Sequence, residues 1–125
     1  MSHIPLIAIV DDDLAIREAL EDLIKSHGYD CLLFGSAEEF LQSASDVECV
    51  VVDVDMPGMS GLEMQQAMNR YPPRPPTIFV TSYTDDRTRR DALEGGAFAF
   101  FGKPVDVVSL ITSVEAAVGH PQPSP

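Results

Sequence analysis

Residues 48–61 read ECVVVDVDMPGMSG. The run from Glu48 into Val52 is apolar without alternation, the pattern of a strand buried on both faces. Asp53 closes the run, and Met56-Pro57-Gly58 turns the chain. A strand covered on both faces needs layers above and below it, which is the arrangement of a parallel sheet joined by helical crossovers. Working outward, the flanking segments fit that demand. Residues 4–10 form an apolar run ending in acid, a second buried strand. Residues 14–27 carry Ile16, Leu20, Leu23 and Ile24 at helical spacing before Gly28 stops them. Residues 29–34 are a strand, and Ser36-Ala37-Glu38-Glu39 reads as a capping box opening a short helix to about Ser43.

Beyond the MPGMSG loop, residues 62–70 are helical and end at Tyr71-Pro72-Pro73. TIFVT over 77–81 is the fourth strand. Residues 84–94 form a charged helix ended by Gly95-Gly96. Residues 98–101 are the fifth strand and 105–118 the last helix. Strand and helix thus alternate five times, which predicts an α/β, (βα)5 flavodoxin-like three-layer sandwich. Its parallel five-stranded sheet has the strand order 2-1-3-4-5, with the switch point between strands 1 and 3. The expected domain spans residues 1–118, and GHPQPSP over 119–125 reads as a Pro-rich tail or the start of a linker.

At 125 residues the chain suits one domain. With 45% apolar and 22% charged residues it is not a disordered chain. No apolar run nears the ~20 residues of a membrane helix, and the N-terminus meets acid too early for a signal peptide. A net charge of -12 argues against direct binding to nucleic acid or an anionic membrane. The charge is uneven: residues 1–69 hold 14 acids and two bases, and residues 70–125 hold six of each. That asymmetry fits either a solvated acidic face or a carboxylate cluster that wants a cation. Cys31 and Cys49 sit in apolar runs without a C-x-x-C pattern, so they read as buried, reduced thiols of an intracellular, cytoplasmic protein. On strands 2 and 3 they would lie about 9–10 Å apart, beyond bridging distance. His27, before Gly28, reads as a contact to a helix C-terminus.

Ligands in such folds sit at the carboxyl ends of the strands, beside the switch point. Strand 1 ends in Asp11-Asp12-Asp13, strand 3 in Asp53, strand 4 in Thr81-Ser82, and Lys103-Pro104 follows strand 5. Singly, each has an ordinary reading: Asp13 as a helix cap, Asp53 as a turn residue, Thr81 as a strand former, Lys103 as a solubiliser. Together they converge on one rim. Clustered carboxylates repel, and a hard divalent cation relieves that; Mg²⁺ takes a few carboxylates plus waters and a phosphate. Asp, Lys, a Thr hydroxyl and room for Mg²⁺ are parts for holding a phosphoryl group in in-line transfer. Neither a Walker A loop nor G-x-G-x-x-G is present, so a bound nucleotide is not the expected phosphate source.

IAIVDDD, VVDVDMPGMSG, FVTS and FGKP, in this order, resemble the response-regulator receiver domain of two-component signalling, in particular receivers of the nitrogen-fixation or nitrate-response regulators. The resemblance covers about residues 5–118. It implies Asp53 as phosphoacceptor, with Asp12 and Asp53 ligating Mg²⁺ directly, Asp11 through water, and the backbone carbonyl of Asp55 completing the set. Thr81 and Lys103 would bind the phosphoryl oxygens, and Phe100 matches the switch aromatic. The Lys103–Pro104 bond matches one that is often cis. The implied partners are a sensor histidine kinase, an output domain or downstream regulator controlling transcription, and a second copy in a phosphorylation-dependent homodimer through helix 4, strand 5 and helix 5. The domain would be no enzyme in its own right, although it assists its own phosphorylation and dephosphorylation. Asp55, two after the acceptor, and Tyr83, two after Thr81, depart from the commonest pattern and are expected to tune the lifetime of the phosphoform.

Three rivals compete. Asp53-Val54-Asp55 resembles the D-x-D of haloacid-dehalogenase-type phosphatases, which leaves Asp11-Asp12 unexplained. A pseudo-receiver that binds partners without phosphorylation would lack the acceptor, the acids or the lysine. A flavin or nucleotide binder on the same fold would meet repulsion from the acidic rim.

Overall fold

Val50, Val51 and Val52 pair with neighbours on both sides, Val50 with Ala8 and Thr77, Val52 with Val10 and Phe79. The computed structural model describes residues 3–43 and 46–119. In chain order the elements are β1 (Leu6–Val10), α1 (Leu14–Lys25), β2 (Asp30–Phe34), α2 (Ala37–Gln42) and β3 (Cys49–Val52), followed by α3 (Gly61–Asn69), β4 (Thr77–Thr81), α4 (Asp86–Glu94), β5 (Ala99–Gly102) and α5 (Val107–Gly119). All pairings are parallel, and the sheet order is β2-β1-β3-β4-β5. The expected topology is therefore present.

Strand side chains alternate between faces with a period of two. Ala8, Val10, Val50, Val52, Phe79 and Phe100 point to one side and pack with Phe40 of α2, Met64 and Met68 of α3 and Ala92 of α4. Ile7, Ile9, Cys49, Val51, Ile78 and Val80 point to the other and pack with Leu20 and Ile24 of α1 and Leu110, Ile111 and Val114 of α5. Each fully buried Val or Ile contributes roughly 1.5–3 kcal/mol of transfer free energy, so the central strands anchor everything built on their ends.

The helix starts follow side-chain caps. Asp13 accepts from the Ile16 amide, Asp85 from Thr88, and Ser60 and Glu63 form a reciprocal capping box. That box starts α3 at Gly61, inside the stretch that reads as loop in the sequence. Conversely, the box expected at Ser36 is half formed. Ser36 accepts from the Glu39 amide, but the Glu39 carboxylate turns to the amide of Gly35. The α4 helix begins at Asp86, later than residue 84, because Asp85 caps it. His27 Nδ1 lies 3.0 Å from the Leu23 carbonyl at the end of α1, the helix-end contact its position suggests.

Cys31 and Cys49 face Ile7 from opposite sides and both are free thiols; Cys49 is buried as expected, whereas Cys31, on the edge strand β2, is only partly buried. Burial pushes the Cys49 thiol up to about 12 and the Cys31 thiol up to about 11, so neither is a reactive thiolate near neutrality. No helix among the described residues is long and apolar enough to cross a membrane. The tail expected from residue 119 onward lies outside the described residues beyond Gly119, the last residue of α5.

Candidate functional site

Sheet pairing carries the key residues to one rim. The Asp11 amide donates to the Phe34 carbonyl, the Asp53 amide to Val10, and the Lys103 amide to Thr81. Each residue therefore extends its strand by one hydrogen bond before the chain turns away. Position is set by backbone ladders and not by the side chains that function needs.

Three of the rim residues form one cluster. Asp11, Asp12 and Asp53 each offer a carboxylate oxygen, and these atoms lie within 4.8 Å of one another. Asp11 and Asp53 are buried, whereas Asp12 is exposed. Lys103 Nζ donates to Asp53 Oδ2 at 2.7 Å and to Asp11 Oδ2 at 3.1 Å. The remaining oxygens also have partners: Asp53 Oδ1 accepts from the Asp55 amide and Asp11 Oδ1 from the Asp13 amide. Burial raises the Asp11 carboxyl above its usual value, and the Asp13 amide and Lys103 offset this only in part. Burial by itself would lower Lys103; its hydrogen bonds to Asp53 and Asp11 outweigh that, so the ammonium is held more firmly charged than usual. Three hard oxygen donors around one point suit Mg²⁺, which keeps part of its water shell. The donor chemistry therefore fits that ion.

The cleft above the cluster has a volume of about 440 Å³, and Asp55, Met56, Pro57 and Ser82 line it beside the acids and Lys103. Thr81 ends β4 with no surface exposed. Its Oγ1 accepts from the Tyr83 amide at 3.1 Å. Tyr83 itself is half exposed, at 50%. Phe100 is buried against Phe79, with ring centres 6.2 Å apart, and the Arg89 guanidinium of α4 lies 5.6 Å over its ring. The Lys103–Pro104 peptide is cis, as the resemblance implied.

Lys103 differs from its sequence reading. An exposed rim lysine is the expectation from sequence, but its side chain is 15% exposed and bridges two buried carboxylates. The reason is electrostatic, since those acids are too close to share a site without a cation between them. Sequence reasoning also missed Arg17, whose Nη1 donates to the Asp11 carbonyl at 2.7 Å and fixes the peptide leading into Asp12. The available signal was a lone base one turn into the helix that follows three acids.

An α/β sheet with an acidic pocket and a bridging lysine at its switch point defines a class of phosphoryl-handling domains, and comparison identifies the family. The model of the response regulator receiver domain matches residues 7–115. The chain belongs to that family, and it is a signalling domain of two-component systems. Among curated relatives it is 40% identical to Nodulation protein W of Bradyrhizobium diazoefficiens, over 90% of this chain and 50% of that protein. It is 32% identical to Transcriptional regulatory protein FixJ of the same organism, over 94% of this chain and 58% of that protein. The chain thus spans about half the length of these relatives. Among solved structures, a CheY-like receiver domain protein from Methanospirillum hungatei matches with a TM-score of 0.86 at 26% identity, over 93% of this chain and 94% of that one.

Proposed function

We propose that Asp53 accepts a phosphoryl group from a phosphohistidine of a sensor kinase, and that the domain transmits this modification through α4, β5 and α5. The observation that carries the reading is the bridged cluster, with Asp53 Oδ2 2.7 Å from Lys103 Nζ and the acids of β1 beside it. An Asp53 carboxylate oxygen attacks phosphorus in line; the P–N bond breaks, a P–O bond forms, and the departing imidazole takes up a proton. Asp11, Asp12, Asp53 and the Asp55 backbone carbonyl would hold Mg²⁺, which neutralises charge on the transferring group when bound. Lys103 already neutralises the acceptor, and it can follow the new oxygens with little displacement.

Thr81 couples the event to α4. Its hydroxyl is bonded to the amide of Tyr83. Drawing Thr81 toward the phosphoryl oxygens therefore pulls the backbone that leads into Asp85, the cap of α4. Phe100 packs under Arg89 of the same helix and repacks when α4 moves. Tyr83, next in sequence to the cleft residue Ser82, shields the acyl phosphate from water, while the carboxylate of Asp55, itself a lining residue, adds a second influence on lifetime.

The receiver unit spans residues 1–118, with 119–125 as a Pro-rich tail or the start of a linker, and its effector is an output domain or a downstream regulator that controls transcription. It acts in the cytoplasm, assists its own phosphorylation and dephosphorylation without being an enzyme for other substrates, and pairs with a second copy through α4, β5 and α5 when phosphorylated. Its net charge of -12 supports a role without direct nucleic-acid contact. Incubation with acetyl phosphate and Mg²⁺, read by intact mass, tests the assignment. One phosphoryl adds to the wild type, none without Mg²⁺, and none to Asp53→Asn. Full labelling of Asp53→Asn would overturn it.

A further inference from the structure

The loop between Asp53 and α3 carries Asp55, Met56 and Pro57 into the cleft, so its path sets one side of the cleft wall. Its ends are held from within. The Asp55 amide donates to Asp53 Oδ1, the Gly61 amide to the Val54 carbonyl, and the Ser60–Glu63 box seals the start of α3. The middle of the loop is held from another element. Glu38, in the first turn of α2, accepts from the Met59 amide through Oε2 at 3.0 Å. That oxygen also occupies the space beside Gly58, where an added Cβ would sit 2.7 Å from it, and Gly58 has a φ of +77°. The missing side chain at Gly58 is what lets the carboxylate reach the next amide. Glu38 and Met59 stand 21 residues apart, so no local turn produces this contact.

Neighbouring Glu39 is engaged elsewhere, capping the Gly35 amide. Of the two adjacent acids, only Glu38 reaches the 53–61 loop through a hydrogen bond among those of the described residues. A charged acceptor on a backbone amide, half shielded from water, is among the stronger hydrogen bonds of a fold.

We infer that Glu38 is a positioning residue for the acceptor site: it latches the 53–61 loop from α2 and so sets where Asp55 stands relative to Asp11, Asp12 and Asp53. The inference rests on the phosphoacceptor reading only for its consequence, and the latch itself is independent of it. Releasing the latch leaves Asp53 and Lys103 in place on their strands. It frees the loop that contributes the Asp55 carbonyl, so cation affinity falls before the fold does. Outer partners of metal ligands typically matter by ~10-fold or more in affinity.

The test compares wild type, Glu38→Ala, Glu38→Gln and Glu39→Ala. Mg²⁺ affinity is read by calorimetry, and protection of the Met59 amide by hydrogen exchange in NMR. Glu38→Ala loses Met59 protection and binds Mg²⁺ ~10-fold more weakly. Glu38→Gln keeps an acceptor oxygen and recovers most of both. Glu39→Ala changes neither, although it removes an acid of equal charge from the same helix turn. Thermal melts show whether Glu38→Ala is folded. If it is not, Glu38→Gln measured against Glu39→Ala decides, and equal Mg²⁺ affinity with an unprotected Met59 amide in Glu38→Gln overturns the latch. Unchanged Mg²⁺ affinity in folded Glu38→Ala also overturns it. A wild type that binds no Mg²⁺ at all contradicts the acceptor reading instead, and Met59 protection then still reports on the latch.

Discussion

β3 and α4 contribute to one core cluster and are opposites in construction. All four residues of β3 are buried, and its end presents Asp53. In α4, nine residues long, Ala92 alone is buried; the helix leans on the sheet through Arg89 over Phe100 and is tied to α3 by the Gln65 amide, which donates to the Ala92 carbonyl. Charge divides along the same line, with the net -12 of the chain residing in residues 1–69 and residues 70–125 neutral. Chemistry that needs fixed distances sits on the rigid region. On the proposed function, the responding element is the lightly attached one, as expected of a segment that must move at small cost.

The contrast is broken most forcefully in the core. Ile9→Ala, at a fully buried site of β1 facing β3, should destabilise by about 2–5 kcal/mol in urea unfolding. Leu93→Ala, on the exposed side of α4, should stay within about 0.5 kcal/mol. Equal losses would mean that α4 is as firmly built as the sheet.

Next comes Lys103→Ala. Mg²⁺ in the assay offsets the loss of the cation between Asp11 and Asp53, and the fold persists by circular dichroism. Phosphotransfer slows by an amount on the order of 2–4 kcal/mol in barrier, as when an oxyanion donor is removed. Wild-type labelling with a wild-type conformational response would remove Lys103 from the mechanism. Tyr83→Ala should have a smaller effect, shortening the phosphoform lifetime after donor removal at fixed Mg²⁺. Asp55→Asn should change the lifetime as well, in a direction that reports whether the carboxylate acts by repelling the phosphoryl group or by orienting the attacking water. A Tyr83→Ala lifetime equal to or longer than wild type rules out shielding and leaves the half-exposed ring as part of the partner surface.

Most of this architecture was legible in the sequence, for reasons that differ by region. The β1, β3 and β4 strands declare themselves because burial on both faces leaves little room for polar residues, and alternation with helical spacing then dictates a parallel sheet. The rim residues were legible because each follows directly on a strand. What stayed hidden depended on side-chain contacts that the apolar pattern does not encode. The burial of Lys103 arises from two acids, 50 and 92 residues away. The tie from Arg17 to the Asp11 carbonyl and the reach of Glu38 to Met59 have no periodic signature. Ser60 and Glu63 do carry a signature, S-x-x-E, but the adjacent Pro-Gly turn masks it.

The central claim is that modification of Asp53 in the rigid region is read out in the loosely held one. Hydrogen exchange of the unmodified and acetyl-phosphate-treated domain, both with Mg²⁺, measures this directly. The account predicts changed protection across residues 82–102, unchanged protection in β1 and β3, and no change anywhere in Asp53→Asn. Unaltered exchange in α4 and β5 of a protein shown by mass to be phosphorylated would contradict it.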